Sequence, residues 1–264
     1  MATGTRSRRW AWWGAAIGLL LALLFFAPAR WLNLALFQAT QGQLQLVNAR
    51  GTLWNGRGDL VLSGGEGSRG QTALPQGIRW KLGPGWSRGP ALRAKLTSPC
   101  CTEQPVTLRL RPRWGGADVK LDAFNSRWPA AILIGLGTPW NTLYPDGRLQ
   151  IQSPGFSIAW TSGRIRMEGQ LQAQVQDLST RVSTVRPLGS YQIELQARAD
   201  SDEASLELKT LEGKLLLQGQ GQWVGGRLRF RGEASAAPGH EAALINLLNI
   251  IGIRDGARSV LAFG

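Results

Sequence analysis

The only histidine, His240, sits beside Glu241 at the start of a carboxy-terminal apolar-periodic stretch. Any Ser-His-Asp or Cys-His nucleophilic site would have to use it. The nearest serines, Ser235 and Ser259, lie in no strand-to-helix elbow motif, so His240 reads as a solvated surface residue. One histidine cannot build a histidine-based metal site. The acids Asp118, Asp122, Glu168, Asp177, Glu194 and Glu207 mostly fall at outward positions of alternating strands, and no two stand out as a facing acid–base pair. The glycine-rich run Gly64-Gly65-Glu66-Gly67 is followed by no helix, so it reads as a turn rather than a phosphate loop. The residues therefore point away from an enzyme. They name no catalytic residue, no metal ligand, no cofactor and no small-molecule substrate.

Cys100 and Cys101 are the only cysteines, and they are adjacent. Adjacent thiols do not have the spacing of a metal site. In an oxidising compartment they could close a ring with each other or pair with other chains, and in a reducing one they stay free.

The net charge is +13, with 30 basic residues. Lysine contributes only Lys81, Lys95, Lys120, Lys209 and Lys214, so arginine dominates. The guanidinium fork suits phosphate and carboxylate. The arginines are scattered at strand-alternation spacing rather than clustered, and no nucleic-acid module accompanies them, which reads as a solvated face. Outside the cytoplasm the available anions are phospholipid headgroups, lipopolysaccharide and partner proteins.

The elements that carry these residues begin with an apolar run. Residues 10–27, WAWWGAAIGLLLALLFFA, hold no charge. Eighteen helical residues span about 27 Å, close to the hydrocarbon thickness of a bilayer. Arg6, Arg8 and Arg9 precede the run and Arg30 follows it. The positive-inside bias predicts a cytoplasmic tail over 1–9, a transmembrane helix over 10–27, and a periplasmic domain over 28–264. Trp10, Trp12 and Trp13 then mark one interface and Trp31 the other. Ala27-Pro28-Ala29 also satisfies the small-x-small pattern of a signal-peptide cleavage site, so an uncleaved anchor and a cleaved leader both remain open, with the length of the run favouring the anchor.

Past a short helical continuation at 32–41 the period changes to two. Alternating stretches recur at 44–62, 78–83, 91–98, 106–114, 117–124, 147–152, 156–160, 163–178, 191–200, 204–213, 213–224 and 226–236. The opening "Gly, basic, aliphatic" recurs at Gly147-Arg148-Leu149, Gly163-Arg164-Ile165, Gly213-Lys214-Leu215 and Gly226-Arg227-Leu228. Glycine suits the turn, the basic residue points outward and the aliphatic one inward. Thirty-four glycines fit strands joined by tight turns, and Gly219, Gly221 and Gly225 would let them bend. Many of the 12 tryptophans flank Gly, Pro or Arg, among them Trp54, Trp86, Trp114, Trp128 and Trp140, which reads as strand ends and corners. The fold class predicted is mainly β: an amino-terminal transmembrane helix followed by a curved antiparallel meander or roll. The Pro-bracketed stretch 126–145 breaks the alternation and reads as a seam, with a short buried helix or loop over 130–136. Ala243, Leu244, Leu247, Leu248 and Ile251 form an apolar stripe, predicting an amphipathic helix over 239–252.

Two blocks carry a family likeness. The first runs through 27–62 around Gly51-Thr52-Leu53-Trp54-Asn55-Gly56. The second contains Gly213, then Gly219, Gly221 and Trp223, then Gly232, followed by the helix at 242–252. In this order, behind one amino-terminal apolar run, they resemble protein N of the bacterial type II secretion system. The resemblance implies a structural, non-enzymatic component of the inner-membrane platform in a Gram-negative bacterium. It implies partners among the other secretion components, with the secretin as one candidate, and attachment to the inner membrane, with no nucleic acid. It assigns no role to Cys100 and Cys101. A second reading is a periplasmic lipid-handling module with an apolar groove in a curled sheet, like proteins of the AsmA kind.

Overall fold

The computed structural model describes residues 4–65, 70–86, 89–198, 203–224 and 227–263. Gly67, Gly225, Gly226 and the Trp10 side chain lie outside the described residues. Helix α1 is Gly4–Phe25, and α2 is Arg30–Ala39. Strands β1 Leu44–Gly51, β2 Asn55–Ser63, β3 Gln71–Ala73, β4 Ile78–Trp86, β5 Pro90–Thr97, β6 Val106–Arg113, β7 Gly116–Leu121 and β8 Phe124–Pro129 follow. A 3-10 turn at Ala130–Leu136 and helix α3 at Trp140–Leu143 lead into β9 Asp146–Thr161 and β10 Arg164–Ser179. Then come β11 Gly189–Ala197, β12 Glu203–Gly213, β13 Leu215–Val224, β14 Arg227–Ala236, α4 Glu241–Ile251, β15 Ile253–Asp255 and β16 Arg258–Phe263.

All the strands belong to one antiparallel sheet. Its order is β1-β2-β4-β5-β6-β7-β9-β10-β11-β12-β13-β14-β16-β15, with β3 on β2 and β8 on β9. Most adjacent strands are sequence neighbours, so the sheet is largely a meander; β2 beside β4, β7 beside β9 and β14 beside β16 are the exceptions. The stretches 147–152 and 156–160 are not two strands but one: β9 runs through Pro154 and Gly155. Ser153 spans the irregularity, its Oγ donating to the Gln170 carbonyl at 2.6 Å and accepting the Gly155 N–H at 3.1 Å. The two halves of β9 pair with different neighbours, β8 at 148–153 and β7 at 156–161. The sheet therefore continues past 126–145, and β8, the 3-10 turn and α3 form an excursion over it. The 3-10 turn packs on β2, β3 and β9. Because β2 and β9 stand five places apart in the order, that contact requires the sheet to curl.

Two cores follow from the alternation. Ala29, Leu46 and Trp80 form one, with Leu32 and Leu36 of α2 packed against them. The other joins Leu188, Tyr191, Leu215, Phe230 and Leu261 to Leu244, Leu247 and Leu248 of α4. All three α4 leucines are buried. Helix α4 is thus a core element, and its leucine spacing turns one face onto the sheet. Four of the tryptophans expected at strand ends and corners sit there, and Trp128 is the penultimate residue of β8. Trp54 is in a turn, Trp86 ends β4, Trp114 follows β6, and Trp140 opens α3.

Helix α1 begins at Gly4, so it takes in most of the segment expected as a separate tail, including Arg6, Arg8 and Arg9. Among the described residues, no helix is long and apolar enough to cross a membrane. The arginine-bearing first turns and the stop at Phe25 shorten the apolar part of the helix relative to 10–27.

Candidate functional site

The first sequence block builds the joint between helix and sheet. Ala27 and Ala29 are buried immediately after an exposed helix end. The Leu53 N–H donates to the Ala27 carbonyl at 2.7 Å, the Ala29 N–H donates to the Gly51 carbonyl at 3.2 Å, and Pro28 bridges Thr52. Between them the Thr52 N–H donates to the Asn55 carbonyl at 2.9 Å, and the Asn55 N–H donates to Thr52 Oγ1 at 3.1 Å. Gly51 has φ +96, a conformation that side chains disfavour, and a Cβ there would press on the Asn55 carbonyl. The Leu82 N–H donates to the Trp54 carbonyl at 2.6 Å, tying the turn to β4.

Trp80 closes this joint, and sequence reasoning missed it. It is 1% exposed, and its Nε1 donates to the Leu53 carbonyl at 3.0 Å and the Thr52 carbonyl at 3.3 Å. Its ring occupies the space that a Cβ on Gly56 would need. The signal was the tryptophan in the alternating stretch Ile78-Arg79-Trp80-Lys81-Leu82, on the inward side.

The second block lies near the other end of the sheet. Gly219, Gly221 and Gly232 form a floor under the Phe230 ring. Gly213 faces Gly189 across β11 and β12. Trp223 sits opposite Ala204 and Leu228, and its Nε1 has no hydrogen-bond partner among the described residues. The two blocks are separated by the strands from β4 to β11, so they are two structural joints rather than one site.

Several of the residues weighed for chemistry take part in structural contacts. His240 occupies the cap position of α4, with no side-chain cap bond. Ser259 is fully buried and donates to the Leu248 carbonyl at 2.7 Å. Asp118 receives Arg111 and Arg113, each at 2.6 Å, Asp122 receives Arg109 at 2.8 Å, and Asp177 receives Arg148. Glu194 is held below its usual range, first by the Gln196 side-chain hydrogen bond and then by Gln170, Lys209 and Gln192, against opposing desolvation. Among the described residues, no cluster of His, Cys, Asp and Glu could hold a metal. Cys100 and Cys101 are joined to each other by a disulfide. The loop they occupy is pinned to β8: the Arg127 N–H donates to the Cys101 carbonyl at 2.8 Å, and Thr102 bridges Ser126.

A helix jointed to one long curled antiparallel sheet, with helices packed on it near both ends, defines a single-sheet β protein. The family model for type II secretion system (T2SS), protein N, matches residues 42–261, and the chain belongs to that family, whose members are components of the secretion system. No curated protein and no solved structure matches the chain.

Proposed function

We propose that this chain is a structural component of the secretion system's inner-membrane platform, anchored by α1, with its sheet on the periplasmic side and no catalytic role. One observation carries the reading. Every described side chain from Trp12 to Leu23 is exposed, including Trp12 at 73% and Leu20 at 66%, so this part of the helix is apolar all round and none of its described side chains is buried. Such a helix needs a nonaqueous surrounding. The ends of the sheet differ in what they offer a partner. At β1, Asn33 Oδ1 accepts the Leu46 N–H at 2.7 Å and Thr40 Oγ1 accepts the Leu44 N–H at 3.0 Å, so α2 blocks that edge. At β15 the three residues are exposed, Ile253 to 79%, and Ile245 and Ile250 of α4 are half-exposed. A secretion partner adding a strand at β15 fits that end.

Lipid handling is less well supported, because the leucines of α4 and α2 pack into the two cores of the sheet. Alkaline extraction of membranes, together with reporter fusions at the carboxy terminus, tests the anchored reading. Release of the chain by alkali, or a reporter active only in the cytoplasm, would count against it. Photocrosslinking from position 253 that captures no secretion component would remove the β15 surface.

A further inference from the structure

Three of the arginines that look scattered along the chain, Arg50, Arg57 and Arg79, gather at the helix joint. Arg50 of β1 lies directly opposite Arg57 of β2, and Arg57 lies opposite Arg79 of β4. Two residues along, Lys81 of β4 lies opposite Lys95 of β5. All five are exposed, and they line one cleft of about 770 Å³ with Gly51, Asn55, Gly56 and Thr97. No acid lines the cleft, and among the described residues none of the five has an ion-pair partner. The nearest carboxylate along β2, Asp59, accepts the Asn48 side-chain N–H at 2.9 Å.

Like charges placed directly opposite on adjacent strands repel. Here three arginines stand in one cross-strand row with two lysines beside it, and none of them is ion-paired among the described residues. A row of guanidinium forks suits phosphate oxygens bidentately. The cleft also has a fixed address. The carbonyl of Gly51, which follows Arg50, accepts the Ala29 N–H just beyond the end of α1. If α1 spans the bilayer, the cleft lies at headgroup depth in the leaflet where the helix emerges. Basic residues within a Debye length of an anionic surface are attracted to it.

We infer that the Arg50, Arg57, Arg79, Lys81 and Lys95 cleft binds the phosphates of anionic phospholipids in the leaflet from which α1 emerges, seating the sheet on the membrane surface. This rests on the membrane reading proposed above. Its test is the lipid retained by the full chain taken from bilayers of equal phosphatidylglycerol and phosphatidylcholine. The wild type retains phosphatidylglycerol several-fold over phosphatidylcholine. R57E/R79E and, independently, K81E/K95E bring the ratio close to one, while R229E/R231E on β14 leaves it unchanged. R57E alone also raises the melting temperature in pure phosphatidylcholine, because it converts two like-charge pairs into opposite-charge pairs. Equal retention of the two lipids by the wild type, or an unaltered preference in both cleft variants, overturns the inference. So does full displacement of the lipid by millimolar inorganic phosphate, which would make the ligand free phosphate. A chain that alkali releases, yet that still floats with phosphatidylglycerol vesicles in a salt-sensitive, Arg57-dependent way, overturns the anchored reading and keeps this one.

Discussion

The Trp80 ring stands where a side chain on Gly56 would stand, and its Nε1 is bonded to the carbonyls of the turn that Gly56 closes. Sheet and helix are joined through this pair, since the same turn holds Ala27 and Ala29 by backbone hydrogen bonds.

Gly56→Ala therefore destabilises the chain by about 1–3 kcal/mol, the range for overpacking a filled core. Trp80→Ala costs about 3–5 kcal/mol by leaving a cavity. In the Trp80→Ala background Gly56→Ala costs less than in the wild type, because the ring is gone and only the Arg50 carbonyl, 2.7 Å from the Cβ position, still opposes it. Denaturant unfolding of the four proteins checks this, and additive costs would show that the pair is not coupled.

At the other end of the sheet, Phe230 lies over Gly219 and Gly232. Gly219→Val destabilises by about 1–3 kcal/mol through the same conflict. Gly18 of α1 has open space within 4 Å of where a Cβ would stand, so Gly18→Val leaves the unfolding of the sheet unchanged. Denaturant midpoints of the two variants make the comparison.

Burial raises the Tyr191 phenol well above its ordinary value of 10.0, and its hydroxyl donates to the Leu215 carbonyl at 2.9 Å. The unfolded chain thus ionises at a lower pH than the folded one. The stability tied to this group is complete below pH 10 and is lost as pH rises from there toward the folded value. Tyr191→Phe costs about 1 kcal/mol at neutral pH, from the lost hydrogen bond, and flattens the decline above pH 10. Urea midpoints between neutral pH and about pH 11 read both effects.

With Cys100 and Cys101 bonded to each other, the denatured chain takes up no alkylating reagent until it is reduced, and then it takes up two equivalents. Closing so small a loop constrains the unfolded chain little, so Cys100→Ser/Cys101→Ser costs about 1 kcal/mol. Labelling before reduction, read by mass spectrometry, would show that the thiols are free.

Leu247 of α4 is 2% exposed in the second core. Leu247→Ala costs about 2–5 kcal/mol, whereas Ile253→Ala on the exposed hairpin end changes stability little. Thermal unfolding of the two variants separates the packed face of this region from its open one.

The alternating pattern alone marked most of the stretches that are strands and which side chains of each share a face, though β3, β8, β15 and β16 fell outside it. The leucine spacing of 244–248 determined the amphipathic helix. A two-residue period says nothing about register or about which strand lies next to which, because every alternating strand presents the same two faces. Only the tertiary structure decided that β7 pairs past the 126–145 excursion with β9, that 147–161 is one strand, and that β16 rather than β15 lies beside β14. It decided, too, that Trp80 fills the space over Gly56 and that Arg50, Arg57 and Arg79 fall in one row. Gly56 and Trp80 lie 24 positions apart in the chain, and Arg57 and Arg79 lie 22 apart. Only cross-strand hydrogen bonding fixes the alignment that makes such distant residues neighbours.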